Sequence, residues 1–512
     1  MNFHSILFEG PAEGRPEIET QAPDFFRDLN LDQVVDAITA QWKEYDLAPF
    51  FYTRLPDLEA VAFRQEIVED LGEPAVAQAV DAFSAKMRDM RAHLREAQEV
   101  HEYKRAMQRL FLAAVDIYCQ AVARLAEDLA ARGVKSRGLL ALREYLEGYA
   151  ASAAFRRLEA EARKLIASLA AIRYTLLIKD GNITVRHYNG EQDYSAAVEE
   201  TFEKFRRGAA ADYSVEIPRW EGMNHIEAEI QDRVALLHPD IFGALETFCT
   251  EHAGYLDGRI AEFDREVQFY IAYLAYISKL RGSGLRFCLP QLSRTSKEVS
   301  GDQAFDLALA HKLNEKKTKV VCNDFRLQGA ERILVVSGPN QGGKTTFARM
   351  FGQMHYLAGL GCPVPGERAE LFFCDRLFTH FERQEDSANL RGKLQDDLVR
   401  IQEILEQATA ESIVVMNEIF ASTTLKDAVY LGKEIVGRMC ELDLVGVCVT
   451  FLDELATLNE KTVSVVSLVE PENPAVRTFK LERRRADGLA HALAIAEKHR
   501  VTYEWLKRRM QP

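Results

Sequence analysis

Apolar residues recur at helical spacing over long parts of this chain. Ile260, Phe263, Val267, Ile271, Leu274 and Ile277 fall three or four apart, the period that gathers side chains on one helix face. They predict a helix from Ile260 to about Leu280 with one apolar face on a bundle core. Between Ala75 and Arg132 there is neither Gly nor Pro, and Ala, Leu, Glu, Arg and Gln dominate. Strong helix formers without breakers predict long helices here, with one break. At 174–188 the period shortens. "YTLLIKDGNITVRHY" places β-rich flanks around Asp180-Gly181, a short-range hairpin signal.

From about 318 onward, short β-branched runs alternate with helical stretches: "TKVVCNDFRL", "RILVVSG", "SIVVMNEI", "LVGVCVTF" and "VSVVSLVE". This alternation predicts an α/β domain with a largely parallel, buried sheet. The changes of texture divide the chain into a helical part over 1–172, an inserted β-containing module over 173–222, a helical return over 223–317 and an α/β domain over 318–512. No fixed-period repeat is visible.

Composition narrows the class. A chain of 512 residues is too long for one ordinary core and predicts several domains. Hydrophobic residues at 47% and charged ones at 28% give a soluble, globular balance. No apolar run reaches membrane-spanning length, and the start, "MNFHSILFEGPAEGRPEIE", lacks the basic and apolar regions of a signal peptide. Eight scattered cysteines include no CxxC pair; they predict reduced thiols in a cytoplasm and no zinc site. The net charge of −14 neither supports nor excludes DNA, because steering depends on local basic patches.

The chemistry concentrates in "ILVVSGPNQGGKTTFARM". Gly338, four residues, then Gly343-Lys344-Thr345 satisfy GxxxxGK[ST] between an apolar strand and a helix. Gly338, Pro339, Asn340, Gln341, Gly342 and Gly343 would bring backbone N–H groups round phosphate oxygens. Lys344 would reach the outer phosphates, the Thr345 hydroxyl would ligate Mg²⁺, and Thr346 follows on the helix. A glycine-rich turn with no ligand is the bland alternative. Further on, "VVMNEIFAST" delivers Glu418 at the end of an apolar strand, with Asn417 just before it.

The wording around this loop resembles the MutS family of DNA mismatch-repair ATPases. "SGPNQGGKTT" is similar to that family's "TGPNMGGKST". "VCNDFRL", with Asn323, looks like its segment approaching the nucleotide. "GLGCPVPGERAEL", "CDRLFTHF" and the closing "DGLAHALAIAEKHRV" also match in the family's order. The match runs roughly from 318 to 512. More loosely, "LPDLEAVAFRQEIVEDL" resembles the start of the family's helical core. The resemblance implies a long-helix lever or core domain carrying a small clamp-like insertion, followed by an ABC-type P-loop ATPase domain. It implies ATP and Mg²⁺ as cofactors, DNA as a partner and a homodimer. The expectation from these residues is a chain without an equivalent of the family's mismatch-reading domain and its Phe-x-Glu wedge before the helical core.

The same resemblance assigns roles. Glu418 matches the acid that positions or activates the attacking water. Asn417 matches an Asp that orients the metal through water; an amide oxygen accepts the same hydrogen bond but brings no charge. Phe451 stands where the family places a His near the γ-phosphate. "GKLQDDL" looks like the signature one subunit presents to its partner's nucleotide, so Gly392, Lys393 and Asp397 are candidates in trans, with a solvated surface lysine the even alternative for Lys393. Lys204, Arg206 and Arg207 are candidate DNA contacts, although scattered surface basics are commoner. The first expectation is therefore a dimeric MutS-like ATPase with slow turnover that clamps mismatched or otherwise structured DNA. The alternatives are a nucleotide-gated protein with little turnover that binds branched DNA or a protein partner, and an ABC-type ATPase whose arm touches no DNA.

Overall fold

The Gly- and Pro-free block folds as two helices, Pro74–Glu99 and Lys104–Ala131. The structure is a computed structural model that describes residues 3–192, 194, 200, 224–382, 393–420, 423–470, 476–485 and 502–510. It divides into two units. The first comprises Met1–Phe3, Asp70–Lys135 and Leu139–Asp264; the second comprises His4–Glu69, Ser136–Gly138 and Arg265–Pro512.

In the first unit the two long helices pack along their length, as a four-residue connection at 100–103 requires of antiparallel neighbours. Val76, Val80, Phe83 and Met87 of one helix and Leu110, Val115, Val122 and Leu129 of the other are buried. None of the connecting residues is a breaker, so tertiary packing rather than local propensity places the single break. The helix Ala153–Ala170 is capped by Ser152, whose Oγ accepts from Phe155 N–H at 3.2 Å. It leads to strands β1 (Tyr174–Lys179) and β2 (Asn182–His187), an antiparallel hairpin. The turn residues Asp180 and Gly181 have φ of 52° and 75°, the left-handed pair that a two-residue turn between right-twisted strands needs. The chain resumes at Asn224, whose side chain and Glu227 form a capping box for the helix His225–Leu237.

The second unit holds the remaining described strands: β3 (Phe287–Cys288), β4 (Gln291–Ser293), β5 (Val299–Ala304), β6 (Asn323–Leu327), β7 (Ile333–Ser337), β8 (Val364–Pro365), β9 (Arg368–Phe372), β10 (Leu377–Phe381), β11 (Ile413–Asn417), β12 (Val445–Val449), β13 (Thr462–Val469) and β14 (Arg477–Arg483). The main sheet has the order β10-β11-β12-β7-β13-β14. Its first five strands run parallel, and β14 returns antiparallel to β13. Every residue of β7, β11 and β12 is buried, which is why these strands read as unbroken apolar runs.

One of the five β-branched runs behaves differently. Only Asn323–Leu327 of the stretch 318–327 is a strand, and it pairs with β5 in a separate sheet of order β4-β9-β5-β6. Asn323, Phe325 and Leu327 are buried while Asp324 and Arg326 are exposed, the alternation of a strand with one wet face.

The helix expected near Ile260–Leu280 is Gly258–Arg281. Ile260, Phe263, Val267 and Ile277 are buried, and Ile271 and Leu274 are half-buried. The expectation of a single apolar face needs correcting, because Asp264, Glu266 and Gln268 are buried as well. Each has a distant partner: Asp264 pairs with Arg91, Glu266 accepts from Ser5 Oγ and Ile6 N–H, and Gln268 accepts from Trp42 Nε1. Paired polar groups can be buried at little net cost, and periodicity alone cannot show partners so far away in sequence. Among the described residues no helix is long and apolar enough to cross a membrane, and no group of three or more His, Cys, Asp or Glu side chains is placed to hold a metal ion.

Candidate nucleotide site

Four strand ends meet at one edge of the parallel sheet. The register pairs Asn417 of β11 with Val449 of β12, Val449 with Val336 of β7, and Val466 of β13 with Ser337 of β7. The segments leaving these strands therefore emerge side by side at carboxyl ends, where open α/β sheets carry their ligand sites.

From Ser337 the chain turns through residues 338–343 into the helix Lys344–Gly359. Two glycines are sterically required. Gly338 has φ of +115°, and a Cβ there would stand 3.0 Å from the Ser467 carbonyl oxygen. A Cβ on Gly342 would stand 2.2 Å from Ser467 Oγ. The end of β13 thus forms the floor of the loop, and Ser467 Oγ donates to the Gly342 carbonyl at 2.6 Å. Gly342 N–H closes back on the Pro339 carbonyl at 3.3 Å. Arg477 Nε, from β14, donates to the Asn340 carbonyl at 3.1 Å. Gln341 is held in the left-handed region at φ 61°, a conformation that costs a non-glycine residue about 1 kcal/mol or more and tends to collect at functional sites. No side chain caps the following helix, so its positive end faces the loop.

Lys344 turns back into this loop. Its Nζ donates to the carbonyls of Gly338 at 2.8 Å and Pro339 at 3.2 Å and reaches Asn340 Oδ1 at 3.5 Å. The ammonium also lies 4.5 Å from the centroid of the Phe451 ring. Burial holds the Lys344 pKa below its ordinary value, the Glu418 charge pushes it back up, and the Arg477 charge pulls it down. Thr345, one residue on, donates its hydroxyl to Asn417 Oδ1 at 2.9 Å. This pair joins the helix to the end of β11 and sets two oxygens side by side. Thr346 is half-buried on the same first turn.

Glu418 follows Asn417 at φ 57°, its N–H tied to the Val449 carbonyl at 2.9 Å. The side chain is half-buried, and its charge acts to raise the Lys344 pKa against the effect of burial. Asn323 is a brace: its Oδ1 accepts from Leu481 N–H at 2.8 Å and its Nδ2 donates to the Phe479 carbonyl at 3.1 Å. It thereby fixes β14 where that strand passes Gly343, which lies 3.8 Å from the Phe479 backbone, measured from the position of a Gly343 Cβ.

The other sequence candidates are placed in part. Asp397 is buried on the helix Lys393–Gln407, its Oδ1 lying 3.4 Å from His380 Nε2 of the same chain. Lys393 begins that helix. Gly392 lies outside the described residues, as do Lys204, Arg206, Arg207 and the closing motif at 487–501.

Sequence reasoning did not single out Ser467, Arg477 or His380. Ser467 had a faint signal, a polar residue inside the apolar run "VSVVSLVE". Arg477 had none, because its contact depends on the irregular register between Ser467 and Val469 where β13 pairs with β14.

Residues 334–498, which begin in β7 and take in the glycine-rich loop, Asn417 and Glu418, match the family model described as MutS domain V. The chain is also similar to the DNA mismatch repair protein MutS of Brevibacillus brevis, 26% identical over 275 residues, or 52% of this chain and 31% of that protein. The chain thus spans about a third of the length of the curated relative it matches. Residues 334–498 therefore resemble MutS domain V, and about half of the chain is similar to a MutS protein.

Proposed function

We propose that this protein is a MutS-like, ATP-dependent DNA-binding protein that binds and slowly hydrolyses ATP, with the nucleotide driving a dimeric clamp on mismatched or otherwise structured DNA. The observation that carries the proposal is the hydrogen bond from Thr345, next to Lys344, to Asn417, next to Glu418, which brings the loop after β7 and the end of β11 together, in a stretch that matches MutS domain V.

The donor set fits a nucleotide phosphate chain. Gly338 and Gly342 let the loop lie directly on the Ser467 end of β13, where a Cβ would clash, the helix adds its positive end, and Lys344 supplies the cation. The Thr345 hydroxyl and the Asn417 amide oxygen, already 2.9 Å apart, are the two oxygens that would hold Mg²⁺, directly or through water. When bound, the metal would neutralise charge developing on the phosphates. Glu418 would orient the attacking water and accept its proton at the carboxylate. Asn417 contributes no charge of its own, and Phe451 offers no hydrogen bond, so slow turnover is the reading these residues support.

The arms are the first unit's long helices, and the β1–β2 hairpin belongs to the clamp-like insertion. In this reading Gly392, Lys393 and Asp397 belong to the signature that completes a second subunit's site, and Lys204, Arg206 and Arg207 meet DNA phosphates. A second reading, a nucleotide-gated protein with little turnover, is favoured by one observation: Lys344 is fully engaged by its own loop and by Phe451.

Lys344→Ala tests the site. A charge-assisted hydrogen bond is worth about 1.5–3 kcal/mol, so ATP affinity measured by calorimetry should fall roughly 10- to 150-fold. Unchanged affinity would remove the phosphate-loop assignment.

A further inference from the structure

Phe451 is the least expected side chain at this site. It follows the last residues of β12, and its backbone is pinned on both sides: Thr450 N–H donates to the Val336 carbonyl at 3.0 Å, and Leu452 N–H donates to Thr450 Oγ1 at 3.0 Å. Thr450 and Leu452 are buried, yet Phe451 is 49% exposed. An exposed phenyl group on a fixed backbone, beside a strand that is otherwise fully buried, has no role in the core. Its placement is accounted for by what lies under it, the Lys344 ammonium at 4.5 Å from the ring centroid. The other side of that ammonium is filled by the carbonyls of Gly338 and Pro339. Among the described residues, the Lys344 ammonium is thus held by its own loop and by the Phe451 ring.

We infer that Phe451 is a gate on nucleotide binding: its ring retains the Lys344 ammonium against the loop carbonyls, and a phosphate chain binds by drawing that ammonium off the ring. The inference rests on the phosphate-loop reading of residues 338–345. The attraction is that of a cation for the negative face of an aromatic ring. It acts on the unliganded protein, and so opposes binding, because a phosphate competes for the same charge. Removing the face while keeping apolar bulk should favour the nucleotide, and enlarging the face should oppose it. Phe451 is therefore a positioning residue, acting on nucleotide through Lys344.

The test is a calorimetric titration of ATP with Mg²⁺ into the full chain and its Phe451→Leu, Phe451→Ala, Phe451→Trp and Lys344→Ala variants, with thermal unfolding as the check on folding. Cation–π attractions span a range that corresponds to roughly 2- to 30-fold in an equilibrium constant. Phe451→Leu and Phe451→Ala should bind ATP tighter by a factor in that range. Phe451→Trp, which keeps a stronger ring, should bind no tighter than the unaltered protein. A merely structural role would move Leu and Trp together, because both keep an apolar side chain. Equal affinities for the Leu variant and the unaltered protein, or tighter binding by the Trp variant, would overturn the gate. If Lys344→Ala loses ATP while Phe451→Leu is unchanged, the gate alone is wrong. If Lys344→Ala binds ATP as well as the unaltered protein, the phosphate-loop reading fails and takes the gate with it.

Discussion

Asn417 and Thr345 illustrate how one atom can retune a site without altering its shape. The hydrogen bond from the Thr345 hydroxyl to Asn417 Oδ1, at 2.9 Å, would be made equally well by a carboxylate oxygen. What Asn removes is a negative charge next to the position a metal would occupy. Even with water-like screening, a unit charge at about 4 Å is worth ~1 kcal/mol, and more at a half-buried site. Asn417→Asp should therefore lower the Mg²⁺ concentration for half-maximal phosphate release by about 5-fold or more, with the fold unaffected because size is conserved. An unchanged Mg²⁺ dependence would show that β11 does not deliver a metal-handling residue. Ser467 makes a related point from the opposite side of the loop. Its hydroxyl and backbone set the space in which Gly338 and Gly342 must lack a Cβ, so the glycine spacing legible in the motif is enforced by a strand more than a hundred residues away.

At the scale of elements, the parts that were legible in the sequence are those whose signal is local. The Asp180-Gly181 hairpin follows from two residues that tolerate positive φ, and the buried strands β7, β11 and β12 follow from apolar runs. The strand–loop–helix around Lys344 follows from the same kind of pattern. What was not legible depends on partners distant in sequence: β6 joining a second sheet, the buried charges of the helix Gly258–Arg281, and Arg477 reaching Asn340. The opposite end of the main sheet shows a further long-range device. Asp443 accepts from Lys297 and Lys461 at 2.8 Å and from Arg332 at 3.0 Å, tying together β7, β13 and the turn before β12. Burial pushes the Asp443 carboxyl up, but hydrogen bonds from Lys297 and Lys461 and the charges of Lys297 and Arg332 outweigh it and hold the group well below the usual carboxylate range. A depressed folded value means that the stabilisation is fully present above the ordinary carboxyl value of 3.8 and is lost as the pH falls from there through the folded value. Asp443→Asn should cost about 1–2 kcal/mol at pH 7, a charge-assisted bond discounted for partial exposure. Denaturant unfolding should show that deficit shrinking as the pH is lowered below 3.8. A deficit that stays constant down to pH 3 would mean that Asp443 contributes shape and not charge.

At the scale of the whole molecule there are two units, a helical one carrying the hairpin and an α/β one carrying the candidate site. In the proposed function the second unit is an ATPase whose turnover depends on Glu418 at the strained end of β11. Glu418→Gln keeps the side-chain shape and removes the proton acceptor, so it separates binding from chemistry more cleanly than any change in the loop. The direct measurement is phosphate release in a single turnover, with enzyme in excess over Mg²⁺-ATP, for the unaltered chain and for Glu418→Gln, alongside ATP affinity for both. The account predicts equal ATP affinity within about 3-fold and a release rate reduced roughly 100-fold or more, the scale of a general base. Phosphate release by Glu418→Gln at the unaltered rate, with ATP still bound, would contradict it.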